Sequence, residues 1–417
     1  MGRSSGMYDI VVFGATGFTG RRVCEYLYEA NFREGYKIAI AGRSRERMQK
    51  VLDELESKYP MVVANVDDPI SLRNMAMSAK LIINCVGPFR FSGEGVVAAC
   101  IEAQADYIDI CGEPEFLERI QLKYHDAAVA TDTLIVGACG FDSIPGDIGA
   151  MFTRQKLKEA GATSISSIEC IIRIQNGIQG SKVNFATYES AVYGIGNSAN
   201  LRDIRKQFAT RYNDHPQPKG LKLDRPSYHY DERVKSWVIP FFGADGSVVR
   251  RSSRFDIPKG VPKCPQFHAY FAVSSIPWLL AYFIFGCIFW TLAKFRLGRY
   301  LLLQFPELFS CGFVSRSGPD VHQIRTTSFV LKFFGKGYSS FGIESSKDPD
   351  ISIQATVVGP EPGYVTTPIC AVQSAFVLLK ERERLPFNGG VLTPAVAFGE
   401  SSLFSRLNAN GVVFTSP

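Results

Sequence analysis

Six short apolar runs, separated by stretches of helix-forming composition, occupy the first third of the chain: "DIVVF", "KIAIAG", "VVANV", "LIINCVG", "DYIDIC" and "TLIVGAC". They recur at intervals of roughly 25 residues, too far apart for hairpins and long enough to hold a helix between each pair. Each run is continuously apolar rather than alternating, the pattern of a strand with helices on both faces. The segments between them, such as "RRVCEYLYEA", "SRERMQKVLDELESKY" and "GEGVVAACIEA", supply those helices. This alternation predicts an α/β fold with a Rossmann-type doubly wound parallel sheet over residues 1–150. With 417 residues, 46% of them hydrophobic, the chain is long enough for a second α/β (α+β) domain, expected over 151–417.

The first strand runs into "GATGFTG", and Gly14, Gly17 and Gly20 open the first helix together with Thr16, Phe18 and Thr19. Missing side chains there let backbone N–H groups and the positive end of the helix approach a pyrophosphate. After the second strand, where an NAD site carries an acid for the ribose hydroxyl, the sequence reads "AGRSRERM". Gly42 leaves room, Arg43 offers a planar fork of donors to a phosphate, and Ser44 adds a hydroxyl at an N-cap position. The expected cofactor is therefore NADP(H); a capped surface helix with solvated arginines is the other reading. Val66 and Asp67, past strand three, would flank the adenine. Asn84, Cys85, Val86, Gly87 and Pro88, closing strand four, would face the nicotinamide half. Cys85 reads as a small buried residue rather than a nucleophile.

Several chemistries find no support. The formal charge of +6 is dispersed, so no nucleic-acid partner is expected. Ten cysteines contain no CxxC pair, which removes zinc ribbons and dithiol redox motifs and suits a reducing compartment. HExxH, Walker A and GxSxG are absent, so no metal site and no acyl transfer are expected. The chain reaches a strand within about ten residues without an apolar signal core, which argues against secretion. A hydride-transferring enzyme still needs a proton donor. Tyr107 and Asp109 on strand five, Glu113 just after it and Asp142 after strand six are the candidates at the carboxyl ends of the strands. Each also has an ordinary role: satisfying backbone, capping a helix or ordering the "GFDSIPGD" turn.

Together "VVFGATGFTG", "AGRS", "NCVGPFRFSGEGVVAACIEAQADYIDICGEPEFL", "GFDSIPGD" and the late "VVGPEPGYVTTPI" resemble the saccharopine dehydrogenase-like oxidoreductase family, in its eukaryotic branch close to trans-acting enoyl reductases. The similarity runs over nearly the whole chain. It implies a Rossmann domain followed by a domain like the substrate domain of saccharopine reductases, and association with membranes or lipid droplets. Extended short-chain dehydrogenases also begin with "GATGFTG", but they need a lysine four residues after a catalytic tyrosine. None of the 17 tyrosines here has one.

In the second half "SSIECIIRIQNG", "TTSFVLKFFGKGYS" and "ISIQATVVG" read as strands of one sheet, and "TTPICAVQSAFVLLKER" as a helix. The polar and aromatic region from 200 to 260 reads as loops over the cofactor. Between these lies an apolar insert, 264–310, whose residues 264–293 carry no charged side chain if His268 is neutral. Trp278 and Trp290 suit an interface, and Lys294, Arg296 and Arg299 follow at once. If strands before and after the insert pair in one sheet, a single crossing is forbidden. Pro277 and Gly286 would then break the segment into two short helices that dip and return. The expected partner is a membrane or lipid-droplet surface, met at the cytoplasmic face; a helix buried in the domain or between subunits of a homodimer is the alternative. The function expected is reduction of a C=C, C=O or C=N group on an apolar or lipid substrate, against a non-catalytic NADP(H)-binding scaffold or sensor and a soluble saccharopine-type imine reductase.

Overall fold

The computed structural model describes residues 6–178, 180–212, 217–218, 223, 225–255, 263–340 and 348–417. The chain forms two compact units, one from residues 1–142 and 362–410, the other from 143–361 and 411–417.

The first unit alternates as β1 (Tyr8–Phe13), α1 (Phe18–Glu34), β2 (Ile38–Gly42), α2 (Arg45–Glu54), β3 (Met61–Val63), α3 (Pro69–Met77), β4 (Ala79–Asn84), α4 (Phe89–Ala103), β5 (Asp106–Asp109), α5 (Pro114–Ala130) and β6 (Leu134–Val136). The strands lie in the order β3-β2-β1-β4-β5-β6, and a late strand, Gly390–Leu392, extends the sheet beyond β6. Every pairing is parallel. Ile10, Val11, Val12, Ile40, Ile82 and Ile83 are fully buried, which accounts for runs that are apolar on both faces. Strand order reverses between β1 and β4, so the crevice at their carboxyl ends is the topological switch point.

Two boundaries differ from the expectation of 1–150 and 151–417. The helix Ile144–Glu159 belongs to the second unit, where Gly149 lies so close to Phe333 and Val357 that a methyl group would not fit. The helix Thr367–Lys380 returns to the first unit and is buried continuously from Thr367 to Leu378. Together with the π-helical turn Pro362–Thr366 before it, it makes a 19-residue stretch long and apolar enough to cross a membrane, yet most of that stretch is buried in the protein. Local composition carries no record of a return across more than 200 residues.

The second unit is built on a seven-stranded mixed sheet: His229–Asp231, Ser236–Pro240, Gln266–Val273, Ser164–Gln175, Ser328–Tyr338, Ile351–Pro360 and Val413–Thr415, in that spatial order. The central strand Ser164–Gln175 pairs parallel with Gln266–Val273 on one side and antiparallel with Ser328–Tyr338 on the other. Region 200–260 holds more regular structure than expected, with helices Ser198–Tyr212 and Asp245–Phe255 and three strands, Gln217–Pro218, His229–Asp231 and Ser236–Pro240. Part of the expected cofactor-covering loop, 213–216, 219–222, 224 and 256–262, lies outside the described residues.

The apolar insert departs from the expected pair of short helices. Its uncharged part, 264–293, holds the strand Gln266–Val273 and then one unbroken helix, Ile276–Lys294, and two shorter helices, Arg296–Gln304 and Pro306–Phe309, follow. Pro277 sits in the first turn, where its missing N–H leaves no bond unmade. Gly286 is tolerated mid-helix, with nothing within 4 Å of where a Cβ would stand. The strands that flank the helix border the same central strand, so its two ends return to one sheet. Along the helix, contacts with its own unit recur: Tyr282 with Phe271, Phe283 with Tyr228, and Phe289 with Tyr188. It therefore lies along the second unit as a ridge, with Leu279, Phe289 and Ala293 inward and Trp278, Leu280 and Ile284 from 58% to 64% exposed.

Candidate functional site

The glycine turn is shaped by close approach of backbone to backbone. Gly14 has φ +89°, and its N–H donates to Ala41 O at 2.9 Å, tying the turn to β2. A Cβ at Gly14 would stand 2.8 Å from Val86 Cγ2, and one at Gly20 would collide with Gly14 O and lie 3.3 Å from Cys85 Cβ. The structure thus brings the turn and the end of β4 together. Gly17 differs: its backbone is extended, and a Cβ there would meet only Gly14 O, at 3.3 Å. Its bareness serves whatever approaches from outside.

That approach has a charge preference. Gly17 is the N-cap of α1 and provides no side-chain cap, and the first turn carries no acid. The first N–H groups of an α-helix lack intrahelical partners, so this end presents donors and a partial positive charge. Thr16 and Gly17 are exposed, with Phe18 and Thr19 half-buried beside them. A pyrophosphate fits this end.

At the end of β2, Gly42 is buried, and a Cβ there would make only ordinary contact with Met48. Arg43 is exposed and has no carboxylate partner among the described residues. Ser44 caps α2, its Oγ accepting the Arg47 N–H at 3.2 Å. An unpaired guanidinium beside a second helix N-terminus suits a phosphate on the adenosine ribose. Ala64 N–H donates to Gly42 O and holds the end of β3 alongside, with Val66 half-buried and Asp67 exposed just beyond. At β4, backbone and side chain part company. Cys85, Val86 and Pro88 are half-buried and Gly87 is exposed at the rim, but the Asn84 side chain turns inward and donates to Tyr107 Oη at 3.1 Å. Burial drives the Cys85 thiol well up, which removes it as a nucleophile.

Tyr107, Asp109 and Glu113 make internal contacts. Tyr107 is fully buried and donates to Asp109 Oδ2 at 2.9 Å. Asp109 Oδ1 accepts the N–H groups of Cys111 at 3.0 Å and Ala138 at 2.8 Å, fastening the loops after β5 and β6 to one carboxylate. Burial raises its pKa to about 6, against the hydrogen bonds from Ala138, Cys111 and Tyr107, which pull it down. Glu113 accepts from Phe89 N–H and from Arg90 Nε, each at 2.7 Å, and so caps α4. Asp142 alone of the four is partly exposed, its carboxyl raised by desolvation and packed where Gly112 has no side chain.

Two residues of this unit escaped sequence reasoning. Tyr364, in the returning segment, packs edge-on against Phe18 at 4.7 Å, at the start of α1. Thr367 Oγ1 accepts Phe141 N–H at 3.0 Å and donates to Pro362 O, holding the loop after β6. The Gly/Pro-rich stretch "GPEPGY" signals a bend but not its destination. In the second unit, Arg225 and Arg233 are matched by buried Glu169 and Asp231, with Arg233 2.7 Å from Glu169. Among the described residues no His/Cys/Asp/Glu cluster could hold a metal ion.

Comparison with known proteins agrees with this geometry. The family model described as the saccharopine dehydrogenase NADP binding domain matches residues 10–136. NADP(H) is accordingly the cofactor. A human protein named saccharopine dehydrogenase-like oxidoreductase is 40% identical over 98% of this chain and 97% of its own length. A Caenorhabditis elegans protein named lipid droplet localized protein is 33% identical over 98% of this chain and 97% of its own. Among solved structures, apo saccharopine dehydrogenase (L-Glu forming) of Saccharomyces cerevisiae shares the fold at a TM-score of 0.57 and 11% identity, covering 98% of this chain and 100% of that one.

Proposed function

Since this chain belongs to the saccharopine dehydrogenase-like oxidoreductase family, we propose that it is an NADPH-dependent reductase of a C=C, C=O or C=N group on an apolar substrate taken from a membrane or lipid-droplet surface. The observation that carries the substrate class is the ridge helix Ile276–Lys294. A helix apolar on every side and open to solvent over most of its surface belongs against lipid or protein. Its two ends return to one sheet, which favours lying in the interface over crossing it. The lipid-droplet name of the Caenorhabditis elegans relative points the same way.

NADPH supplies the hydride; the chain supplies binding, orientation and a proton. Gly17 and the first turn of α1 hold the pyrophosphate, Arg43 the ribose phosphate, and the rim at Val86–Pro88 bounds the nicotinamide side. In this reading Asp142, half-exposed after β6, gives up the proton; desolvation keeps its carboxyl protonated to a higher pH than an ordinary aspartate. A saccharopine-type reductase of a soluble, charged amino acid is disfavoured: Arg225 and Arg233 already have carboxylates of their own, and the ridge has no part in binding such a molecule.

A second reading, an NADP(H)-binding scaffold or sensor without turnover, is favoured by one observation. Tyr107, Asp109 and Glu113 all serve internal contacts. The deciding experiment is NADPH oxidation by the purified protein with a fractionated lipid extract, with Arg43→Glu as the control. Stoichiometric oxidation lost in the variant supports the reductase. Tight NADPH binding with no oxidation by any lipid fraction supports the scaffold.

A further inference from the structure

The ridge does not end with its helix. Phe295, Leu297, Tyr300, Phe305, Leu308 and Phe313 continue the exposed apolar surface through the helices Arg296–Gln304 and Pro306–Phe309. Charge along this element is one-sided. Between residues 264 and 319 the chain carries Lys294, Arg296, Arg299 and Arg316 against a single acid, Glu307. None of the four cations has a carboxylate partner among the described residues. Three of them, Lys294, Arg299 and Arg316, are instead held by aromatic rings and carbonyls. The Lys294 ammonium stands 3.3 Å over the Trp290 ring, Arg299 caps the helix end through Ala293 O at 2.9 Å, and Arg316 donates to Leu303 O while stacked on Phe185.

Helical spacing decides which way the first of these charges points. Lys294 follows Ile276 by 18 residues, five full turns, so the two share one face of the helix. That face also carries Leu280; at about 100° per residue it is turned by roughly 60° from Leu279, 100° from Ala293 and 140° from Phe289, the inward side chains, and Lys294 itself is exposed. An ammonium at the end of an outward apolar stripe, over a tryptophan, is placed for the headgroup layer when the stripe enters the acyl layer.

We propose that the ridge, residues 276–316, docks on a leaflet containing anionic phospholipid, with Lys294, Arg296, Arg299 and Arg316 meeting the lipid phosphates. This rests on the surface reading given above and adds the lipid class. The apolar stripe provides attachment; the cations select the leaflet. Unpaired cations beside an apolar face gain from a negative surface potential and lose that gain as salt rises.

The test is co-flotation of the full-length protein with vesicles of phosphatidylcholine alone and with added phosphatidylserine, at low and raised ionic strength. Binding is expected to both, tighter to the anionic vesicles, with the difference erased by salt. Lys294→Gln with Arg296→Gln should lower partitioning to anionic vesicles by about 30-fold and leave the neutral vesicles unaffected, at roughly one charge's worth of surface attraction each. Lys206→Gln, an exposed lysine outside residues 276–316 that is paired with Asp203, should change neither. Far-UV circular dichroism and melting check that the double variant is folded. Equal binding to neutral and anionic vesicles, or a double variant with parental preference, overturns this proposal while the surface reading stands. Binding to no vesicle and to no phospholipid-coated oil droplet overturns both.

Discussion

Replacing Arg43 by alanine should separate the two nicotinamide coenzymes. The guanidinium is exposed at the carboxyl end of β2 and has no carboxylate partner among the described residues, so its removal leaves no buried charge and should cost little stability. Its contribution to a bound ribose phosphate is one charge-assisted contact, worth roughly 1.5–3 kcal/mol, or about 10- to 150-fold in Kd. Solvent screening puts the expected loss near the lower end. Some preference should survive, because the N-terminus of α2 and exposed Arg45 and Arg47 remain nearby. NADH has no phosphate at that position and should bind the variant as it binds the parent. Arg43→Glu adds repulsion and should invert the preference. The assay is parallel calorimetric titration of NADPH and NADH at two ionic strengths, with the NADPH advantage shrinking as salt rises. If both coenzymes weaken equally, or neither responds, Arg43 is a solvated surface residue and the phosphate assignment fails.

Other perturbations probe the turn and the buried acid. Gly20→Ala drives a methyl group into Gly14 O and should destabilise by roughly 1–3 kcal/mol, read as a lowered Tm, whereas Gly17→Ala should melt near the parent yet weaken NADPH. If Gly17→Ala binds NADPH like the parent, the bare position has no ligand role. For Asp109, with a folded pKa of about 6 against an ordinary 3.8, the stability due to its bound proton is complete below 3.8 and is lost as pH rises to about 6. That window is worth up to about 3 kcal/mol, so denaturant unfolding of Asp109→Asn minus parent should show the slope between pH 4 and 6 and none above. Parallel curves for the two proteins would refute the buried-acid account.

The first unit was largely legible because its strands are continuous apolar runs, each with its helix beside it. β1 through β6 fall within a few residues of those runs, and the turn, Arg43 and the N-cap at Ser44 lie where local rules place them. Side-chain direction was less legible. Strand ends identify which backbone lines the crevice, but they do not show that Asn84 turns inward or that Tyr107 and Asp109 are consumed by one another. The insert misled for a related reason. Composition merged a buried strand and an exposed helix into one apolar stretch, and only pairing with Ser164–Gln175 separates the strand Gln266–Val273 from the helix Ile276–Lys294.

The chain leaves its first unit after residue 142 and returns at 362, which makes a concrete demand on any fragment. In the helix Thr367–Lys380, Ile369, Val372, Phe376, Val377 and Leu378 are at most 5% exposed, and Tyr36 stacks near Phe376 at 5.5 Å. Burying five such side chains contributes roughly 8–15 kcal/mol, which matches the whole net stability of an ordinary domain. Arg382 adds a largely buried ion pair with Asp106, 2.9 Å apart, at the start of β5. A fragment of residues 1–150 should therefore be unfolded or insoluble and bind no NADPH, despite containing every cofactor residue named above. Adding residues 362–410, by co-expression or through a flexible linker after residue 142, should restore a cooperative melt and NADPH binding. A 1–150 fragment that melts cooperatively and binds NADPH like the full chain would show that the returning helix is packing laid over a domain already complete, and that the nucleotide unit ends where its sixth strand does.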